Sequence, residues 1–134
     1  MARLILDTCV LIAGVRGGVD LAALADTDDV AVPALVVAEY SAGVLLGTDP
    51  GRAAAQRAFL DEVLAVVPVA DYDRAVAEHH AALLAHTHGT GTQRGVHDLI
   101  IAATARATGR AVVTADERAR FGELPDVTAR LVSV

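Results

Sequence analysis

Four acidic residues of this chain each stand beside an apolar run, where an isolated charge is costly: Asp7, Glu39, Asp98 and Asp116. Any one of them could be a helix cap or a carboxylate at a helix end. One shared site explains all four more simply than four separate caps or buried charges. Carboxylates gathered in one place repel one another unless cations lie between them, and oxygen-only ligands suit Mg²⁺ and Mn²⁺. Such a centre suits phosphoryl chemistry, in which a metal ion activates water.

Two of these acids lie on predicted helices. Asp98 precedes the run 99–103, which is apolar at every position and therefore predicts a buried helix that Asp98 opens. Alone, Asp98 would be explained by the helix dipole and by free N–H groups. Glu39 lies within the predicted helix 34–46. It is either an exposed tip at the helix edge or a carboxylate that is paired, protonated or metal-bound.

The alternation of strands and helices indicates a three-layer α/β/α sandwich with a central, mainly parallel sheet of four to five strands. Strands are predicted at residues 4–6, 30–32, 66–69, 110–114 and 128–134. Asp7 and Asp116 follow two of these strands directly, at the carboxyl edge where open α/β sheets bind ligands. The 134 residues are expected to form a single domain, 1–134, without internal repeats or linkers.

Composition narrows the function classes. No apolar run approaches the ~18 residues of a membrane span, the N-terminus lacks the pattern of a secretory signal, and the single cysteine fits a reducing cytoplasm. That cysteine, Cys9, is predicted to be a small buried apolar residue. A net charge of −6 argues against a general basic nucleic-acid surface, although the four acids account for part of it. All eleven basic residues are arginine.

Four short motifs carry a resemblance to a known family. Taken together they resemble the PIN-domain family, and within it the VapC-type toxin branch of bacterial toxin–antitoxin pairs. The match follows the family's order and distances over nearly the whole chain, and residues 121–125 resemble its ending. The motifs are Leu6-Asp7-Thr8, Val37-Ala38-Glu39-Tyr40, His97-Asp98-Leu99-Ile100-Ile101-Ala102 and Val113-Thr114-Ala115-Asp116.

The resemblance implies a Mg²⁺- or Mn²⁺-dependent endoribonuclease that cuts structured RNA, often transfer or ribosomal RNA. It also implies a homodimer that a small VapB-type antitoxin silences, in a heterotetramer or larger assembly. The expected location is the cytoplasm, with no membrane contact. The alternative is a catalytically silent PIN-like module that binds RNA or protein.

Residue roles follow from the resemblance. Asp7, Glu39, Asp98 and Asp116 would be both catalytic residues and metal ligands, with Thr114 as a supporting hydroxyl. Many members have Asn in place of Asp116 and a further Asp where this chain has Ala119, so Asp116 is expected to matter less than Asp7 and Asp98.

Two neighbouring side chains, Thr8 and His97, have open roles. Thr8 is predicted to cap the helix that follows it, with a supporting hydroxyl as the alternative. His97 is assigned either a substrate contact or helix capping. The remaining histidines, at positions 79, 80, 86 and 88, are expected to face solvent.

Partner contacts are predicted on two surfaces. Arg94, in a predicted flexible loop 89–95, and Arg118 are candidates for RNA contact or are solvated surface arginines. Apolar residues of the first two helices could line a groove for an antitoxin helix, unless the sheet and neighbouring helices cover them. The groove residues are Leu11, Val15, Leu21 and Leu24, together with Val10 and Ile12.

Other acid-cluster proteins fit less well. A phosphoacceptor receiver domain needs a lysine, and this chain has none. An Asp-nucleophile phosphatase would have a second Asp two residues after Asp7, where Cys9 stands.

Overall fold

A five-stranded parallel sheet forms the centre of the structure, with strand order β3-β2-β1-β4-β5. The computed structural model describes all of residues 1–134. The strands are β1 (Arg3–Leu6), β2 (Asp29–Pro33), β3 (Val69–Ala70), β4 (Ala111–Thr114) and β5 (Ala129–Leu131).

Six α-helices cover the sheet, and the predicted three-layer α/β/α sandwich is confirmed. They are α1 (Thr8–Val15), α2 (Leu21–Thr27), α3 (Ala34–Leu46), α4 (Pro50–Val66), α5 (Arg74–Thr90) and α6 (Val96–Thr108). Two short 3₁₀ turns follow β4, at Glu117–Ala119 and Phe121–Glu123. None of the helices combines the length and the apolar character that crossing a membrane requires.

The central strands are buried on both faces, as parallel strands under two helical layers must be. Leu4, Ile5 and Leu6 of β1 and Val112 and Val113 of β4 have no exposed surface. Strand β1 pairs with β2 on one side and β4 on the other. The chain therefore leaves β1 in one direction and returns on its other side, which opens a crevice at the carboxyl ends of β1 and β4.

Helix α6 begins beside this crevice and continues into the core. Leu99, Ile101, Ala102, Ala103 and Ala105 are buried, and Asp98 lies in the first turn. The prediction that Asp98 opens a buried helix is therefore confirmed.

Helix bounds agree with the sequence in one case and differ in another. Helix α3 has the predicted bounds, because Pro33 precedes its first turn and Gly47 follows its last. Helix α5 runs to Thr90, so only residues 91–95 of the predicted loop 89–95 are non-helical.

The predicted antitoxin groove is wrong in its central residues. Val10 and Leu11 have no exposed surface and Leu21 is also buried, because α1 packs against β4, α3 and α4. Val15 stays partly exposed, and Leu24 is a partly buried residue packed against the core. These residues therefore do not line one open groove.

Candidate active site

Strands β1 and β4 bring Asp7 and Asp116 to the same edge of the sheet. Asp7 directly follows β1, and Thr114 ends β4 two residues before Asp116. The Thr114 hydroxyl donates to Asp7 Oδ2 at 2.8 Å and accepts from the Asp116 N–H at 3.0 Å. One buried hydroxyl thus connects the ends of two neighbouring strands.

Asp7 is buried and held by several donors. Its Oδ1 accepts from the Thr8 N–H at 2.8 Å, so Asp7 itself caps α1. Its backbone N–H donates to the Val113 carbonyl at 3.0 Å. Donors on both oxygens therefore fix the orientation of this carboxylate.

Glu39 comes from α3 and is held on both oxygens. Oε1 accepts from the Thr8 hydroxyl at 2.8 Å, and Oε2 lies 2.9 Å from His97 Nδ1. The prediction that Thr8 caps α1 is wrong, because Asp7 takes that position and leaves the Thr8 hydroxyl free to reach Glu39. Glu39 is neither an exposed tip nor an isolated buried charge.

Asp98 shows how near the four acids are to one another. Partial burial, followed by the negative charges of Asp7, Asp116 and Glu39, raises the pKa of its carboxyl above the usual range. The neighbouring His97 opposes this shift and lowers the pKa. The structure therefore places Asp7, Asp116 and Glu39 close enough to Asp98 for their charges to act on its carboxyl group.

Asp116 caps the first 3₁₀ turn and is the most loosely held of the three hydrogen-bonded acids. Its Oδ1 accepts from the Arg118 backbone N–H at 3.0 Å and lies 3.5 Å from Arg118 Nε. The Arg118 side chain is 94% exposed. Arg118 can therefore move from Asp116 to another anion at little cost.

The donor set is suitable for a hard cation. Burial and carboxylate repulsion at Asp98 are relieved when a cation lies among the acids, and carboxylate oxygens are the ligands that Mg²⁺ and Mn²⁺ prefer. In the present arrangement no three His, Cys, Asp or Glu side chains are placed to hold a metal ion. Protein donors hold Asp7, Glu39 and Asp116, and Asp98 is the acid that accepts no hydrogen bond from the protein.

Arg94 does not have the role predicted for it. Its side chain is 8% exposed, and one guanidinium nitrogen donates to the carbonyls of Ala119 and Arg120, each at 2.8 Å. A second nitrogen lies 3.7 Å from Glu123. Arg94 therefore anchors the loop before α6 to the two 3₁₀ turns, and it is not available to an RNA phosphate.

Sequence reasoning missed Gly95, and its prediction that Cys9 is a small buried apolar residue is wrong. Cys9 is half-buried; its Sγ accepts from the Ala115 N–H at 3.3 Å and lies 3.5 Å from Asp7 Oδ2. A Cβ added to Gly95 would lie 3.0 Å from Asp98 Oδ2, so this glycine leaves room for the carboxylate. The position of Gly95 three residues before Asp98 was the only available signal.

Comparison with known proteins identifies the family. The PIN domain family model matches residues 4–126. No match was found among curated proteins.

Three solved structures are similar over almost their whole length. VapBC2 from Rickettsia felis, bound to a DNA fragment from their promoter, shares 21% identity at a TM-score of 0.85, covering 97% of this chain and 98% of that chain. DNA-bound VapBC from Salmonella typhimurium shares 24% identity at a TM-score of 0.82, covering 97% of this chain and 98% of that chain. VapBC-5 of Mycobacterium tuberculosis, from the VapBC family of toxin–antitoxin systems, shares 29% identity at a TM-score of 0.80, covering 98% of this chain and 100% of that chain. Since the family model extends from β1 past both 3₁₀ turns, this chain belongs to the PIN-domain family.

Proposed function

We propose that this protein is a VapC-type toxin, a metal-dependent endoribonuclease that cuts structured RNA such as transfer or ribosomal RNA. The observation that supports this most is the meeting of four acids at one edge of the sheet. Thr114 joins Asp7 to the backbone of Asp116, and Glu39 is held there by Thr8. After burial, these three carboxylates raise the pKa of Asp98. An acidic cluster at the crevice of a parallel sheet has a use when it binds cations and a phosphodiester.

Asp7 and Asp98 would hold the ion, with Glu39 or Asp116 completing the site. A bound Mg²⁺ or Mn²⁺ would supply Lewis-acid stabilisation of the phosphoryl oxygens and a more acidic water. Asp7 is suited to a fixed ligand role because Thr8 and Thr114 hold its two oxygens. Asp98 has no such hydrogen bonds from protein donors and gains the most from a cation.

Glu39 is suited to orienting the attacking water. Each oxygen of a carboxylate has two lone pairs, and Thr8 and His97 engage only one on each oxygen. A free lone pair of Glu39 can therefore accept a proton from a water molecule. The oxygen of that water attacks phosphorus while the bond from phosphorus to the leaving oxygen breaks.

The partner of this function is a VapB-type antitoxin. Support comes from solved neighbours that are themselves VapBC complexes, together with FitAcB from Neisseria gonorrhoeae and with FitAB bound to an IR36 DNA fragment. We propose a homodimer that joins its antitoxin in a heterotetramer or larger assembly, acting in the cytoplasm where its RNA lies.

The test is cleavage of purified transfer RNA and ribosomal RNA with Mg²⁺ or Mn²⁺. Asp7→Asn preserves the helix cap, since Asn caps as well as Asp, and it should abolish cleavage. Asp61→Asn, at an exposed acid on α4, is the matched control and should cleave normally. Full cleavage in excess EDTA would contradict the metal mechanism. RNA binding without any cleavage by the wild-type protein would instead favour the silent binding module.

A further inference from the structure

A groove of about 290 Å³ lies beside the acid cluster, between α1, α3 and α4. Glu39 lies in its wall, so the groove and the acid cluster share a carboxylate. Ile12, Val15 and Val44 supply apolar surface, and Arg16 and Arg52 supply two positive charges. A ligand in this groove would therefore meet aliphatic carbon and two guanidinium groups next to the site of cleavage.

The two groove arginines differ from most others in the chain. Eight of the eleven arginines lie within 4.0 Å of a carboxylate oxygen. The three that do not are Arg16, Arg52 and Arg57, and the first two line this groove. Both are exposed. In a chain of net charge −6, two unpaired cations beside an acid cluster are a local reversal of charge.

We propose that this groove binds the stretch of RNA next to the cut phosphate, an inference that rests on the proposed function. Each guanidinium takes one backbone phosphate, for which its planar donor fork is well suited. Ile12 and Val15 pack against a base or ribose. The two arginines thereby offset the repulsion that the RNA phosphates meet as they approach four carboxylates.

Charge favours RNA over a protein segment as the occupant. An antitoxin helix could use the apolar part of the groove, but it leaves the two arginines unexplained unless it is acidic there. RNA supplies anions at every nucleotide. Arg16 and Arg52 therefore take the place of Arg94, which is buried, and add to the exposed Arg118 as RNA contacts.

The experiment measures RNA affinity at a series of KCl concentrations. The probe is a fluorescein-labelled RNA hairpin with single-stranded tails, and the background is Asp98→Asn, which prevents cleavage. For single strands the slope of log affinity against log salt falls by about 0.7 for each lost phosphate contact. Arg16→Gln with Arg52→Gln should therefore reduce the slope by about 1.4 and weaken binding at low salt.

A double variant of equal charge is the control. Arg57→Gln with Arg74→Gln removes two exposed arginines outside the groove. It should leave the slope nearly unchanged. Thermal melts should show both double variants folded, since all four side chains are exposed.

The outcomes separate this inference from the proposed function. Equal slopes for the two double variants, in a protein whose wild type cuts RNA, would overturn the groove assignment and leave the ribonuclease intact. Loss of antitoxin binding with an unchanged RNA slope would assign the groove to a protein partner. A wild-type protein that neither binds nor cuts RNA would overturn both.

Discussion

Burial and the charges of its neighbours disfavour the ionised form of the Asp98 carboxyl group. In the folded protein, burial and then the charges of Asp7, Asp116 and Glu39 raise its pKa above the ordinary value of 3.8. The folded state therefore holds this proton more tightly than the unfolded chain. Stability from this group is gained as the pH falls through the raised pKa toward 3.8, and it is lost as the pH rises through the same window.

Asp98→Asn should therefore stabilise the metal-free protein at neutral pH while abolishing cleavage, a trade between stability and activity. Urea unfolding in EDTA is the measurement, and the advantage of the variant should shrink below the raised pKa. Asp61→Asn, at an exposed acid, should show no such gain. A variant that is less stable than wild type at neutral pH in EDTA would show that repulsion is not the dominant effect.

His97 orients Glu39 through the contact between Nδ1 and Oε2. His97→Ala should lower kcat about 10- to 100-fold, as loss of a partner that orients a reactive group does. His97→Asn should recover much of the activity, because its amide N–H can replace Nδ1. Neither change should move the melting temperature much, since the His97 side chain is 58% exposed. Equal loss in both variants would remove the positioning role.

A few side chains form hydrogen bonds between the strands, helices and turns that carry the acids. Thr114 joins the ends of β1 and β4, Thr8 and His97 hold α3 through Glu39, and Arg94 ties the loop before α6 to the 3₁₀ turns. The position of each acid therefore depends on contacts with a different element.

Arg94→Ala should test whether Arg94 holds the loop before α6 against the 3₁₀ turns. The variant removes the donor of the exposed Arg120 carbonyl, which water can replace, and that of the partly buried Ala119 carbonyl, whose loss costs about 1–3 kcal/mol. The free energy of unfolding should fall by about that amount. The salt dependence of RNA affinity should stay as in wild type. A reduced slope with unchanged stability would return Arg94 to the RNA-contact role predicted from sequence.

At the scale of the whole molecule, metal binding should stabilise the fold. A ligand that binds only the folded state adds about 2.7 kcal/mol at 100 times its Kd, so Mg²⁺ or Mn²⁺ should raise the melting temperature. EDTA should reverse the rise. Asp98→Asn should show a much smaller rise, although its metal-free form melts higher. An equal rise in wild type and Asp98→Asn would place the metal elsewhere.

The sequence by itself was enough for the order of elements and the identity of the acids. The strands β1, β2 and β4, the bounds of α3 and the buried start of α6 follow from local patterns, because a run of residues and its cap report directly on helix or strand. The predicted strand 66–69 is wrong, since α4 extends to Val66 and β3 is Val69–Ala70, and the predicted strand 128–134 is reduced to Ala129–Leu131. The clustering of Asp7 and Asp116 followed from one rule, that parallel strands end at the same sheet edge.

The partner that each polar side chain takes depends on how the elements pack in three dimensions. Apolar character predicts that Leu11 prefers burial, but not that α3, α4 and the sheet already cover it. Asp7 and Thr114 are 107 residues apart, which is beyond the reach of any local sequence pattern. Their hydrogen bond exists because β1 and β4 are neighbours in the sheet. Thr8 and Arg94 were misassigned for the same reason: a polar side chain is committed by whichever partner the fold brings within reach, and that partner is distant in sequence.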